Sequence, residues 1–196
     1  MPRSVTPGLD SERVEAAVRE LLLAIGEDPG RPGLAETPSR VAESYAEFFS
    51  GVGRDPVEAL GETLPPDANG ELVILRGVEF RSICEHHLLP FRGVAHLAYA
   101  PNDRIVGLGR LPGVVDVSAS RPQLQERLGE QIADALQRGL EPRGVLVILD
   151  AVHDCVATRG PRPAGSSTVT VASRGSLAEP AARSEVIALI GASDGR

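Results

Sequence analysis

Residues 122–152 read PQLQERLGEQIADALQRGLEPRGVLVILDAV, a helix pattern followed at once by a strand pattern, and that pairing decides the fold class. Leu124, Leu128, Ile132 and Leu136 recur every four residues with Ala135 beside them, so a helix expected over 122–139 carries one apolar face. Residues 144–152 are a run of strand length that is apolar apart from Asp150, as in a strand buried on both faces. Working outward, 72–80 and 93–100 have strand character upstream, and 168–173 alternates β-branched residues downstream. A last short helix is expected over 180–190. Two strands, a helical segment and two more strands make an α+β unit, read as a four-stranded antiparallel sheet with helices on one face.

Upstream of the first strand the chain changes character. Asp10 or Ser11 caps a helix to about Gly26 with an apolar stripe of Val14, Val18, Leu21, Leu22 and Ile25. Thr37-Pro38 opens a second helix that Gly51 can end. Pro- and Gly-rich stretches follow each helix. Residues 1–70 are therefore expected to form an N-terminal helical arm and linker, and 71–196 a catalytic domain.

All 20 basic residues are Arg, so any anion site here must use planar, bidentate guanidinium groups. A net charge of −7 argues against a nucleic-acid partner, which calls for a basic face. No apolar run reaches membrane-spanning length and no signal-peptide pattern opens the chain, so no membrane partner and a cytoplasmic location are expected. In that reducing compartment the two cysteines are read as thiols rather than as a disulfide.

Those cysteines sit in two clusters, Cys84-Glu85-His86-His87 and His153-Asp154-Cys155, which also hold three of the four histidines. Cys84, His87 and Cys155 make a three-ligand metal set. Structural zinc sites usually close with four protein ligands, whereas hydrolytic ones keep a position for water. His86 and His153 are left over as imidazoles able to accept and donate protons near neutral pH. His153 and Cys155, two apart, face one side if that segment is extended. His96, alone in an apolar strand, reads as a packed or rim residue. A nucleobase deaminase would need a His-x-Glu and a Cys-x-x-Cys, and a zinc protease two histidines one helical turn apart; neither pattern is present.

The segments Ser82–Phe91, Arg121–Leu128 and Ala151–Gly160, with Thr37-Pro-Ser-Arg-Val-Ala and Phe49-Ser-Gly in the arm, resemble the GTP cyclohydrolase I family, in the family's order and over most of the chain. The resemblance implies the tunnelling fold, a toroidal homodecamer with sites at subunit interfaces, and GTP as substrate. It implies hydrolytic opening of the imidazole ring at C8, formate release, and reclosure to 7,8-dihydroneopterin triphosphate. By the same likeness Cys84, His87 and Cys155 hold Zn2+, and His86 and His153 shuttle protons. Gln125 and Glu126 meet the guanine, while Arg40, Arg110 and Arg159 face the triphosphate. The chain departs from the family pattern on the phosphate side: Glu43 and Arg110 stand where Lys is usual, Gly109 replaces a Ser, and Gly113 an Arg. Arg81, Arg121, Arg162 and Arg174 are candidates to compensate. The departures leave two further readings, a diverged paralogue acting on a less phosphorylated or altered guanine nucleotide, and a non-catalytic zinc-holding assembly subunit.

Overall fold

Asp10 accepts the N–H of Arg13 at 3.1 Å and so caps α1 (Ser11–Ala24). The structure, a computed structural model, describes residues 8–66, 71–159 and 166–191. α2 (Thr37–Phe48) carries Pro38 in its first turn, where a missing N–H costs nothing, and packs on α1. Leu22 is buried, whereas Leu21 and Ile25 of the expected apolar face stay exposed, as does Leu23 beside them. A 3-10 turn, Pro56–Leu60, then folds back on the body of the molecule. Its Leu60 is 1% exposed and sits in the main core against α3 (Leu111–Ala119) and α4 (Gln125–Leu140).

The sheet runs β3-β1-β2-β4-β5. Its strands are β1 (Val73–Cys84), β2 (Pro90–Ala100), β3 (Pro122–Gln123), β4 (Gly144–His153) and β5 (Thr168–Gly175). The α+β class is as expected, but the sheet has five strands rather than four and is mixed rather than wholly antiparallel. The extra strand comes from residues expected to open the long helix. Pro122 and Gln123 instead pair parallel with Ile83 and Cys84, and the Gln123 carbonyl accepts the Glu85 N–H at 3.0 Å. Leu124 is extended, so α4 begins at Gln125. Proline suits the first turn of a helix, but pairing with the end of β1 holds these two residues extended.

Alternation along the strands sorts the core onto two faces. Leu97, Tyr99, Val145, Val147 and Leu149 meet Val114 and Val115 of α3 and Leu128, Ile132 and Leu136 of α4. Each of those three α4 side chains is 0% exposed, and burying it stabilises the fold by about 1.5–3 kcal/mol. Ala98, Leu146 and Ile148 point the other way, where Leu177 of the 3-10 turn Ser176–Ala178 and Val186 of α6 (Pro180–Gly191) cover one end. Between β2 and β4 the register sets Phe91 opposite His153 and Gly93 opposite Ala151. Among the described residues no helix is long and apolar enough to cross a membrane.

Candidate active site

Cys84 is the last residue of β1, and its backbone closes the turn that presents the next three residues. Its N–H donates to Leu89 O at 2.8 Å and its carbonyl accepts from Leu88 N at 2.9 Å. Leu88 takes φ 52°, a left-handed backbone that L side chains avoid. Cys155 lies in the single-turn helix α5 (Asp154–Ala157) that follows β4. Because β2 lies between β1 and β4, the ends of β1 and β4 are brought to the same edge of the fold. Cys84, His87 and Cys155 converge there, with one ligand atom from each lying within 4.8 Å of the others. Both cysteines are free thiols. Cys84 Sγ is 3.8 Å from His87 Nδ1. Burial, followed by the neighbouring Cys84, pushes the Cys155 thiol up from its ordinary range. A bound cation would reverse that preference, since thiolate rather than thiol is the ligand.

The donor set fits zinc: two sulfurs and an imidazole at a spacing a tetrahedral ion can bridge, with one position left open. Among the described residues no fourth Cys, His, Asp or Glu joins the group.

Around the metal group the polar residues are tied into a frame. Glu85 receives a two-pronged ion pair from Arg127 of α4, at 2.5 and 2.9 Å. That guanidinium holds the Glu85 carboxyl below its usual range. Ser82, fully buried, donates to Ala119 O at 2.6 Å, and Gln123 donates to Ser118 O at 2.9 Å, fastening the end of α3 to the same edge. The sequence patterns did not single out Glu85 and Arg127. A signal was available, since a carboxylate flanked by two metal-site residues needs a partner of its own.

His153 ends β4, half-buried, and its ring stacks on Phe91 at 4.6 Å with 6° between planes. Burial lowers its pKa, and the Glu126 carboxylate opposes that shift. His153 Nε2 is 2.7 Å from Gln125 Oε1. Gln125 is 1% exposed. Its other amide end donates to Leu149 O, Thr168 O and Thr170 Oγ1, at 3.1, 2.8 and 3.2 Å. Glu126, the next residue, is exposed in the first turn of α4 and lines a cleft with Gly129, Thr170 and Ala172. His86 is exposed, with its ring edge-on to His87. His96 lies away from this cluster, half-buried, and its Nδ1 accepts the Gly77 N–H at 3.3 Å beside the bulge in β1.

The expected phosphate-side arginines divide. Arg159 is at the metal group, donating to His87 Nε2 at 2.7 Å and to Cys155 O at 2.9 Å. Arg40 pairs with Glu36 on α2, and Arg110 lies beside Gly61. Among the described residues no hydrogen bond or ion pair joins either of them to the metal group. Arg81 is taken up by Glu47 and the face of Phe48. Arg121 donates to Arg54 O and Val117 O, and Arg174 is held by Glu130 and Asp134. Arg162 lies outside the described residues.

Comparison with known proteins gives a consistent result. A family model described as GTP cyclohydrolase I matches residues 14–191. A curated relative from Leifsonia xyli subsp. xyli, named GTP cyclohydrolase 1, is 61% identical over 185 residues, covering 94% of this chain and 97% of that protein. Relatives of the same name from Streptomyces griseus subsp. griseus and Mycobacterium bovis are 51% and 52% identical, each over 92% of this chain and 90% and 91% of theirs.

Proposed function

This chain belongs to the GTP cyclohydrolase I family, and from that membership we propose that it opens the imidazole ring of GTP at C8, releases formate and recloses the product as 7,8-dihydroneopterin triphosphate. The observation that carries the proposal is the convergence of Cys84, His87 and Cys155 beside a stacked, half-buried His153. We assign Zn2+ to the three ligands on the chemistry of the donor set. A metal held there supplies Lewis acidity, bringing the pKa of water toward neutrality.

The chain's own residues do the rest. Glu126 offers a carboxylate to paired N–H donors on the guanine edge. His153, kept neutral by burial, is ready to accept a proton at the reacting ring. Exposed His86 can pass protons onward to water. Arg159, at the metal group, is the intrachain cation best placed for an anionic tail.

Arg40 and Arg110 stand apart from the metal group, and in this proposal they serve the site of a neighbouring subunit in a toroidal homodecamer. Two features support assembly. β5 is an edge strand of eight residues with Val169 and Val171 exposed, an edge that a solitary chain would leave unpaired. Leu21, Leu23 and Ile25 of α1 are likewise uncovered. Residues 1–70 would then act as an arm and 71–196 as the catalytic domain. Two free cysteines suit a reducing cytoplasm.

A second reading within the family rests on the engaged arginines. With Arg81, Arg121 and Arg174 committed elsewhere and Glu43 exposed on α2, the γ-phosphate would be weakly held. The test is turnover of GTP, GDP and GMP by zinc-loaded protein, following formate and the pterin chromophore. Strong preference for GTP supports the first reading, and comparable turnover of GDP or GMP the second. No turnover of any nucleotide, with the metal verified, refutes both and leaves a non-catalytic subunit.

A further inference from the structure

The resemblance to the family sets Gln125 against the guanine, yet its amide has no group to spare. We infer that Gln125 is the positioning residue of His153: it keeps the ring proton on Nε2 and leaves Nδ1 as the nitrogen that exchanges a proton with the reacting molecule.

The argument runs from the amide outward. Leu149 O and Thr168 O are carbonyl oxygens, which only accept hydrogen bonds, and both lie within 3.1 Å of one end of the Gln125 amide. That end must be the NH2, because turning the amide over would set its oxygen against two other oxygens in a buried place. The orientation is thus dictated by partners on β4 and at the start of β5, not chosen by the His153 contact. What remains to face His153 Nε2, at 2.7 Å, is Oε1, an acceptor only. Nε2 must therefore be the donor. In a neutral imidazole the other nitrogen, Nδ1, then carries the lone pair.

The ring lies flat on Phe91, itself 0% exposed; a half-turn about Cβ–Cγ would keep that stack but put a C–H rather than Nε2 against Gln125 Oε1, so the hydrogen bond selects the observed orientation. The proton balance closes without movement of the amide. Nδ1 gains a proton as its lone pair forms an N–H bond, the ring becomes imidazolium, and Nε2–H still donates to Oε1. When Nδ1 gives its proton to a leaving nitrogen, the starting tautomer returns. The Nε2–H bond strengthens while the ring is charged, so the amide favours the protonated stage of the cycle.

The inference rests on the proposed function for its kinetic consequence but not for the tautomer, and the experiment separates the two. Zinc-loaded protein labelled with 15N-histidine, in wild-type, Gln125→Met and Gln125→Glu forms, is measured by solid-state 15N spectroscopy and by GTP kinetics. Wild type should show the proton on Nε2 wherever the His153 ring carries a single proton. Gln125→Met should lose about 10–100-fold in kcat, with KM for GTP changed less than about threefold, and should mix the His153 tautomers. Gln125→Glu should restore the Nε2–H tautomer and part of kcat, because a carboxylic acid can donate to a carbonyl and still accept from His153. A singly protonated wild-type ring with its proton on Nδ1 would overturn the assignment. So would a Gln125→Met or Gln125→Glu enzyme whose KM rises while kcat is unchanged, since that is the behaviour of a substrate contact. If Gln125→Met does not fold, the wild-type spectrum and the Gln125→Glu enzyme decide. Wild-type protein that does not turn over GTP would reject the proposed function, and its spectrum would still decide the tautomer.

Discussion

Replacing Gly93 by Ala should damage both stability and catalysis, although it adds one methyl to the middle of a regular strand pair. A Cβ built on Gly93 falls 1.9 Å from Asp150 O, 2.6 Å from Ala151 Cα and 2.8 Å from Ala151 Cβ. A carbon against a carbonyl oxygen rests at about 3.3 Å or more, so the methyl arrives about 1.4 Å too close. Two of the three obstacles are backbone, and no side-chain rotation relieves them. β2 and β4 would have to part locally, within a core where overpacking costs about 1–3 kcal/mol, and the loss should lie at or above the top of that range. Two residues along, the same strand pair sets Phe91 beneath His153. A displacement there of about 1 Å can cost about 100-fold in rate. Urea unfolding at fixed protomer concentration gives the first quantity and GTP turnover the second. Gly109→Ala is the control, because nothing lies within 4 Å of its added methyl and its backbone is ordinary, so its stability should match wild type within about 0.5 kcal/mol. If Gly93→Ala also stays within that margin, the close approach of the strands is not what the distances say, and the reasoning fails.

Stripping the metal with a chelator should abolish formate release and expose the Cys84 and Cys155 thiols to a thiol reagent, with both effects reversed by added Zn2+. Leu60→Ala should destabilise the protein by about 2–5 kcal/mol in the same urea assay, since Leu60 is 1% exposed in the main core; a loss below about 1 kcal/mol would mean that the 3-10 turn is only loosely docked. Arg127 lowers the folded-state pKa of Glu85 beneath its ordinary 4.5, so the pair's contribution is complete above that pH and is lost as pH falls through the folded value. Melts of wild type and Glu85→Gln should therefore differ by a constant amount from neutral pH to about pH 5, then converge at lower pH; a gap that widens on acidification would contradict the assignment.

The metal group was legible because its chemistry is rare in this chain: two cysteines and most of the histidines fall in two short clusters, and few other roles suit them. The long helix and the strand after it were legible because a four-residue apolar repeat and a nearly unbroken apolar run each need only local sequence to be recognised. β3 was not legible, since Pro122-Gln123 has no strand pattern of its own and becomes a strand only by lying next to Ile83 and Cys84.

The site divides along the same line. Which residues can bind a metal or carry a proton is a property of side-chain type, readable before any fold is known. Which of them meet, and by which atom, was decided by the pairing of β1 with β2 and of β2 with β4, which carries Cys84, Cys155 and His153 to one edge. The register also spends groups the sequence left free: the amide of Gln125 on β4 and β5, and Arg81 and Arg174 on carboxylates of α2 and α4. A polar side chain's partner is chosen by what the fold brings within about 3 Å, and that choice is made between residues far apart in the chain.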